Sequence, residues 1–438
     1  MITRTRTRTR DRSRNRPPTR RAAYATAALV LAAACAVPTT VAGVTDPGSV
    51  VLSPPEPTGP HEVGRTELHL VDPERGHPWV EGATERDVMV SLWYPAEPDG
   101  GDERAPYVSP APAGSLSSEL EQAGLPRSAV DLASSRANAF AEANAARDAG
   151  PFPVVLFSPG FGVSRFLNTA NAEELASQGY VVAAMDHPYE SEAVDLPDGR
   201  VVRDRIPDSE TPMYREAIAI RVADTRLVLD ALDEIAAGGS PQAGGEPLPA
   251  GLAESLDTSR TGMFGHSAGG LTAAEVMLVD DRVDAGMNLD GSMGYHVRNE
   301  VWADATTRGA DRPFALLMAG TSGARDVPHT SGHSEDLRLF RTASTGPVLE
   351  LHMPDAEHMG LMDHQWILPA IEEGRGADHR TWRETVAGAI STVDPAASVD
   401  AQRAYITAFF DAHLRGEDEP LLAGPSPEYP GVEFVDSP

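Results

Sequence analysis

Met263-Phe264-Gly265-His266-Ser267-Ala268-Gly269-Gly270 holds one serine in a G-x-S-x-G pentapeptide. A serine hydroxyl is a weak nucleophile at neutral pH. Chemistry there needs a base within hydrogen-bond reach and a third group to orient that base. With 39 glycines in the chain the pentapeptide alone is a weak signal, and a plain Gly/Ser turn is the competing reading. Context decides for chemistry. The motif directly follows an apolar strand and directly precedes a helical run, the setting of a nucleophile elbow. Gly265 and Gly269 fit that tight turn because a side chain at either would meet neighbouring backbone. Ser267 would then stand at the N-terminus of a helix.

The base is expected after the last strand of the sheet, where His358 follows Leu349-Glu350-Leu351-His352-Met353-Pro354. His352, expected to face outward along its strand, and His364 are the rivals. Two carboxylates can serve as the acid in the order Ser…Asp…His: Asp290, ending Met287-Asn288-Leu289-Asp290-Gly291, and Asp326, after the following strand. Asp290 is held at a strand end beside a glycine. Asp326 lies beyond a flexible Gly/Ser approach, next to Arg325, which could satisfy it. An oxyanion hole requires two backbone N–H groups aimed at the developing charge. Ala268, after the nucleophile, supplies one; Phe161, in the Gly160-Phe161-Gly162 loop, is chosen for the other.

Several other residues read as structural. Asp186-His187 ends a strand as a polar pair. His329 and His333, in a Ser/Gly/Thr loop, make a poor metal site for want of a third ligand in register. Met287, Met293, Met359 and Met362 flank the acid and base loops, where ordinary core packing competes with an acyl pocket.

These residues need a scaffold that brings several loops to one sheet end. Val88–Tyr94 alternates like a strand, and residues 116–148 are Ala/Glu/Leu-rich with helical spacing, broken at Pro126. Val154–Phe157 is a buried strand entering the glycine loop. A helix near Asn168–Gln178, a strand Tyr180–Met185 and a helix Ile218–Ile235 follow. After them come strand Thr261–Phe264, helix Gly269–Leu278, strands Gly286–Leu289, Phe314–Ala319 and Val348–Leu351, and a last helix Ala401–Leu414. Strands alternating with helices imply an α/β fold with a mostly parallel sheet covered by helices on both faces.

Composition bounds the chemistry further. The 438 residues are 41% apolar, long enough for one large core. One cysteine excludes a disulfide framework and a multi-thiolate zinc site. All 36 cations are arginine, which removes lysine Schiff-base chemistry and the phosphate-loop lysine, and a net charge of −29 argues against nucleic-acid binding. Neither a metal cluster nor a dinucleotide fingerprint is visible, so no cofactor is expected.

Residues 1–21 carry nine arginines and one acid, and residues 22–42 no charge at all. Residues 1–42 therefore read as an export signal, with lipidation of Cys35 or retention as a membrane anchor as alternatives. Residues 43–62 read as a linker, 63–415 as the catalytic domain, and 416–438, with five prolines, as a surface tail. The expected location is outside the cell, free or held at the outer membrane face.

Leu92-Trp93-Tyr94-Pro95-Ala96, Phe157-Ser158-Pro159-Gly160-Phe161-Gly162, Gly265-His266-Ser267-Ala268-Gly269-Gly270, Asn288-Leu289-Asp290-Gly291 and Glu357-His358 together resemble the plasma-type (isoform II) platelet-activating factor acetylhydrolases. The similarity runs over roughly residues 64–415. The resemblance implies an α/β-hydrolase fold and calcium-independent cleavage of short or oxidised sn-2 acyl chains from phospholipids. It maps the nucleophile to Ser267, the base to His358, the acid to Asp290, and the oxyanion donors to Phe161 and Ala268. Members often carry His-Gly where this chain has Pro159-Gly160; backbone donation survives that change. The alternatives are a cutinase-like lipase or polyester hydrolase and, from another class, a catalytically silent binding protein on the same fold.

Overall fold

The computed structural model describes residues 48–207, 210–296, 300–322, 327–375 and 380–436. Residues 1–42 with Cys35, and Asp326, lie outside the described residues.

Continuous runs of apolar residues such as Val154–Phe157 can bury both faces only inside a sheet covered on each side. Such runs form the middle of an eleven-stranded sheet. Its order is Glu433–Phe434, Val348–Met353, Phe314–Ala319, Val283–Leu289, Leu256–His266, Phe152–Ser158, Val181–Met185, Arg86–Ala96, Glu62–Asp72, Arg136–Ala141, Arg104–Pro106. The six strands from Val348–Met353 to Val181–Met185 pair in parallel, and Arg86–Ala96 joins them antiparallel. Two large apolar clusters result. Phe157, Phe264, Met287 and Leu317 belong to one, Leu156, Met263 and Leu316 to the other, as period-2 alternation requires. The mostly parallel α/β sheet expected from the strand–helix alternation is the architecture found.

Four local expectations change. Within the stretch taken as helical, Pro110–Gln122 is a helix, but Arg136–Ala141 is a strand paired with Glu62–Asp72 and Arg104–Pro106. Its Ala-rich composition favours a helix, yet Ala137 and Ala139 alternate inward and sheet pairing prevails. His352 is buried and donates from Nε2 to the Gly320 carbonyl at 2.8 Å, so it faces the interior. Residues 48–61, read as linker, are laid on the body: Leu52 is buried and Val50 exchanges backbone bonds with the 129–131 segment. Residues 416–436, read as a surface tail, pack back and end in strand Glu433–Phe434, because Val432 and Phe434 find apolar partners on the main core. Met287, Met293 and Met362 are core residues. Among the described residues no helix is long and apolar enough to cross a membrane.

Asp363 ties the helix after the glycine loop to the segment after His358. Its buried carboxylate accepts from Tyr107 Oη (2.7 Å) and from the N–H groups of Thr169 (3.0 Å) and Ala170 (3.1 Å), capping helix Thr169–Ser177. Burial raises its pKa, against those hydrogen bonds. Asp363→Ala leaves three buried donors without an acceptor and is expected to cost about 3 kcal/mol. Urea unfolding measures this; a loss below about 1 kcal/mol would show that the cap is dispensable.

Candidate active site

The strand Leu256–His266 runs into the helix Ala268–Met277 with one residue between them, Ser267. Its backbone sits at φ 56°, in the left-handed region that a non-glycine residue adopts only when its surroundings hold it there. The flanking glycines explain how. A Cβ on Gly265 would lie 2.2 Å from the Gly269 carbonyl carbon, and one on Gly269 would lie 1.9 Å from the Ser158 carbonyl oxygen. The turn closes only without side chains there.

The neighbouring strand Val283–Leu289 ends in register with it, Leu289 opposite His266. The Ser267 N–H donates to the Leu289 carbonyl at 2.8 Å, and Asp290 follows at φ 52°. Asn288 fixes this second turn, accepting from Gly291 N and donating to its carbonyl, both at 2.7 Å. Gly291 in turn lies against Ser267, since a Cβ there would come within 2.1 Å of the serine carbonyl oxygen. Nucleophile candidate and acid candidate thus leave the same sheet end as one packed unit.

His358 lies in the loop after strand Val348–Met353, and its Nδ1 donates to Asp290 Oδ2 at 2.5 Å. That bond puts the ring proton on Nδ1 and leaves Nε2 as a free acceptor. The His358 ring is partly open to solvent while Asp290 is buried. The middle residue of the motif serves as a brace: His266 donates from Nε2 to the His358 carbonyl at 2.9 Å, and the two rings stand 4.5 Å apart. Burial and nearby His358 push the His266 pKa down to about 3, so it stays a neutral strut. Ser267 Oγ makes no hydrogen bond with a described residue.

The glycine loop after Phe152–Ser158 reaches the serine, with the Cβ position of Gly160 lying 3.6 Å from Ser267 Cβ. Phe161 stacks on Tyr214 at 5.0 Å, and its N–H makes no hydrogen bond with a described residue. Ala268 opens its helix, where the first N–H groups have no partner within the helix. Ser267, Asp290, His358, Phe161, Ala268, Gly265 and Gly269 are therefore assembled around one sheet end. Among the rivals, His364 is buried against Glu119 at 3.0 Å. Asp186 pairs with Arg165, and His187 bridges Ser158 and Asp224, as structural groups. The arrangement can activate a hydroxyl, deliver a proton and stabilise an oxyanion. Among the described residues, the cluster with metal-ligand spacing is Asp411, Glu417 and Glu419, none of which belongs to this site.

The sequence reading passed over one member. His329, buried in the loop after strand Phe314–Ala319, presents Nδ1 to Asp290 Oδ1 at 2.7 Å, and the Ala319 N–H donates to the same oxygen at 2.9 Å. The available signal was its position after a central strand, at the sheet end that carries Asp290 and His358. Its loop is anchored by Ser331, whose N–H and hydroxyl both donate to buried Glu350. Burial alone would raise the Asp290 pKa, but His329 and His358 outweigh it and hold the carboxyl well below its usual range. Burial alone would lower the His329 pKa, but Asp290, with Asp336 and Glu350, raises it.

Comparison with known proteins follows the same line. Residues 49–308 match the family described as platelet-activating factor acetylhydrolase, isoform II. A probable 1-alkyl-2-acetylglycerophosphocholine esterase of Arthroderma benhamiae is 29% identical over 422 residues, 92% of this chain and 98% of that protein. A platelet-activating factor acetylhydrolase of Cavia porcellus is 25% identical over 256 residues, 54% of this chain and 55% of its own length. Among solved structures, a ferulic acid esterase from Streptomyces cinnamoneus superposes with a TM-score of 0.68 at 35% identity, covering 88% of this chain and 99% of that one.

The paired shifts of Asp290 and His329 fix a pH dependence of stability. A depressed carboxyl contributes fully above its unfolded value, about 3.9, and the contribution is lost as pH falls through its folded value. A raised imidazole contributes fully below its unfolded value, about 6.5, and that is lost as pH rises through its folded value. His329→Gln is therefore expected to cost most stability between about pH 4 and 6.5, and less at pH 9. Urea unfolding of both proteins at pH 5 and pH 9 measures it. A cost that grows with pH would contradict an ionic pairing.

Proposed function

This chain belongs to the platelet-activating factor acetylhydrolase isoform II family and is a carboxylic ester hydrolase, and we propose that it works through Ser267, His358 and Asp290. The observation that carries the reading is the His358–Asp290 bond, made at the strand end to which the Ser267 backbone is tied. Ser267 Oγ attacks the ester carbonyl while His358 Nε2 takes its proton. Asp290 holds the ring in the tautomer that leaves Nε2 free and stabilises the imidazolium that forms. The N–H groups of Phe161 and Ala268 bind the oxyanion of the tetrahedral intermediate. The imidazolium then protonates the departing alcohol. Water, activated by the same nitrogen, cleaves the acyl-serine and regenerates the hydroxyl. Every step uses side chains and backbone of this chain, so activity is expected to survive chelation by EDTA.

For substrate, the family and the Arthroderma relative support short acyl esters of the phospholipid sn-2 type. The Streptomyces neighbour supports a second reading, esters of an aromatic acid such as ferulate. A panel from acetyl to palmitoyl esters, with an sn-2 acetyl phospholipid, methyl ferulate and a polyester film, separates these from a cutinase-like enzyme. Highest kcat/KM on the sn-2 acetyl phospholipid supports the first reading; highest on methyl ferulate replaces it. We also place the protein outside the cell, from the arginine-rich start and uncharged stretch of residues 1–42. Cys35→Ser moving protein from membrane to medium would add lipidation; a cytosolic product with Met1 intact would end the export reading.

Ser267→Ala is expected to lower kcat by several orders of magnitude, and Asp290→Asn by at least about a hundredfold, with the fold kept. Asp326→Asn is expected to change kcat less than about fivefold. Steady-state kinetics with circular dichroism checks all three. The opposite ranking of the aspartates would move the acid to the following strand.

A further inference from the structure

Beneath the glycine loop lies an arginine that the chemistry just proposed does not use. Arg221 sits in the middle of helix Glu210–Ala236 and is fully buried. Its guanidinium is divided between the end of the preceding strand, the loop itself and one carboxylate. Nη1 donates to the Ser158 hydroxyl at 3.0 Å and to the Pro159 carbonyl at 2.7 Å, and Nη2 donates to the Gly160 carbonyl at 3.0 Å. Buried Glu190 neutralises it, accepting from Nε at 2.9 Å and also from Nη2. The same Glu190 carboxylate accepts the Gly162 N–H at 3.3 Å. One ion pair thus holds both sides of the turn around Phe161, a turn closed by the bond from Val163 N–H to the Gly160 carbonyl at 3.1 Å.

A trans peptide unit points its carbonyl and its N–H in opposite directions. The unit whose carbonyl is that of Gly160 carries the N–H of Phe161. With that carbonyl fixed on the guanidinium and the preceding one fixed beside it, the unit cannot rotate, and the Phe161 N–H is aimed away from Arg221. Arginine suits the task and lysine does not, because only a planar fork can grip two successive carbonyls and a carboxylate together.

We propose that Arg221, with Glu190 as its counter-ion, is a positioning residue for the oxyanion hole, acting through the two loop carbonyls to aim the Phe161 N–H at the developing negative charge. The proposal rests on the serine-esterase reading given above. Orientation of a donor matters mainly in the tetrahedral state, when the charge is present, so the loss should fall on kcat rather than on KM.

The test uses Arg221→Lys and Glu190→Gln in the full chain, with Ser267→Ala assayed alongside. For Arg221→Lys a loss of about a hundredfold in kcat is expected, with KM within about threefold; for Glu190→Gln, about tenfold in kcat. Affinity for a trifluoromethyl ketone, which forms a tetrahedral oxyanion on the serine, should fall in step with kcat/KM across the variants. Affinity for the unreactive alcohol product should stay within about threefold. A merely structural role would lower the melting temperature and the titratable site fraction, but not kcat per titrated site. Wild-type kcat in a folded Arg221→Lys, or lost kcat with unchanged ketone affinity, overturns the proposal. Should Arg221→Lys fail to fold, Glu190→Gln decides by the same two readouts. An active Ser267→Ala would instead overturn the serine-esterase reading itself, which separates the two failures.

Discussion

Two neighbouring parallel strands end in register, and each is followed at once by a non-glycine residue in the left-handed region. Ser267 and Asp290, at φ 56° and 52°, are those residues. Neither conformation is favourable alone, and each costs on the order of 1–3 kcal/mol unless the surroundings impose it. The surroundings do impose it, because the two turns share atoms. The Ser267 N–H bonds to Leu289, and Gly291 lies flat on the serine carbonyl. The side chain of Asn288 then closes the second turn and also occupies the space that a Cβ on Gly270 would need, 1.9 Å from its Oδ1. Everything else at this sheet end is arranged about that pair, including His358, His266 and the glycine loop.

Much of this was legible because it is written in short-range terms. The elbow glycines and the apolar runs of Val154–Phe157 and Phe314–Ala319 each state a local geometry, and the Ser…Asp…His order follows from strand order in this fold. What was not legible depends on partners distant in sequence. The strand Arg136–Ala141 has helix-favouring alanines and becomes a strand only because the edge of Glu62–Asp72 is open to it. His329 looks like any loop histidine until the sheet brings it to Asp290, 39 residues earlier. Arg221 leaves a fainter trace in the sequence, a cation among Ile218, Val228 and Leu229 on the inward side of a helix. A charge in that setting is paired or it would not be tolerated.

The buried charge around the site is not confined to Asp290. Asp224 accepts from Arg86 and His187, His187 pairs with Ser158, Ser158 accepts from Arg221, and Arg221 pairs with Glu190. Replacing such a chain by apolar residues often costs nothing in stability. Directional bonds, unlike apolar contacts, specify the orientation of a loop as well as its position. In the apolar layers on either side of the sheet, shape suffices. Under the glycine loop, where the heading of a single N–H decides whether charge can develop, shape alone would leave rotation free.

The short strand Glu433–Phe434 lies along the outer side of Val348–Met353, the strand that leads into His358. A sheet margin left bare offers a row of unpaired amides and carbonyls to any other extended chain. Glu433 and Phe434 therefore act as a selvedge, finishing the cloth on the side where it would otherwise fray or be stitched to its neighbour. Truncation ahead of Val432 would leave that hem open beside the base loop, a border that invites the addition of another extended chain.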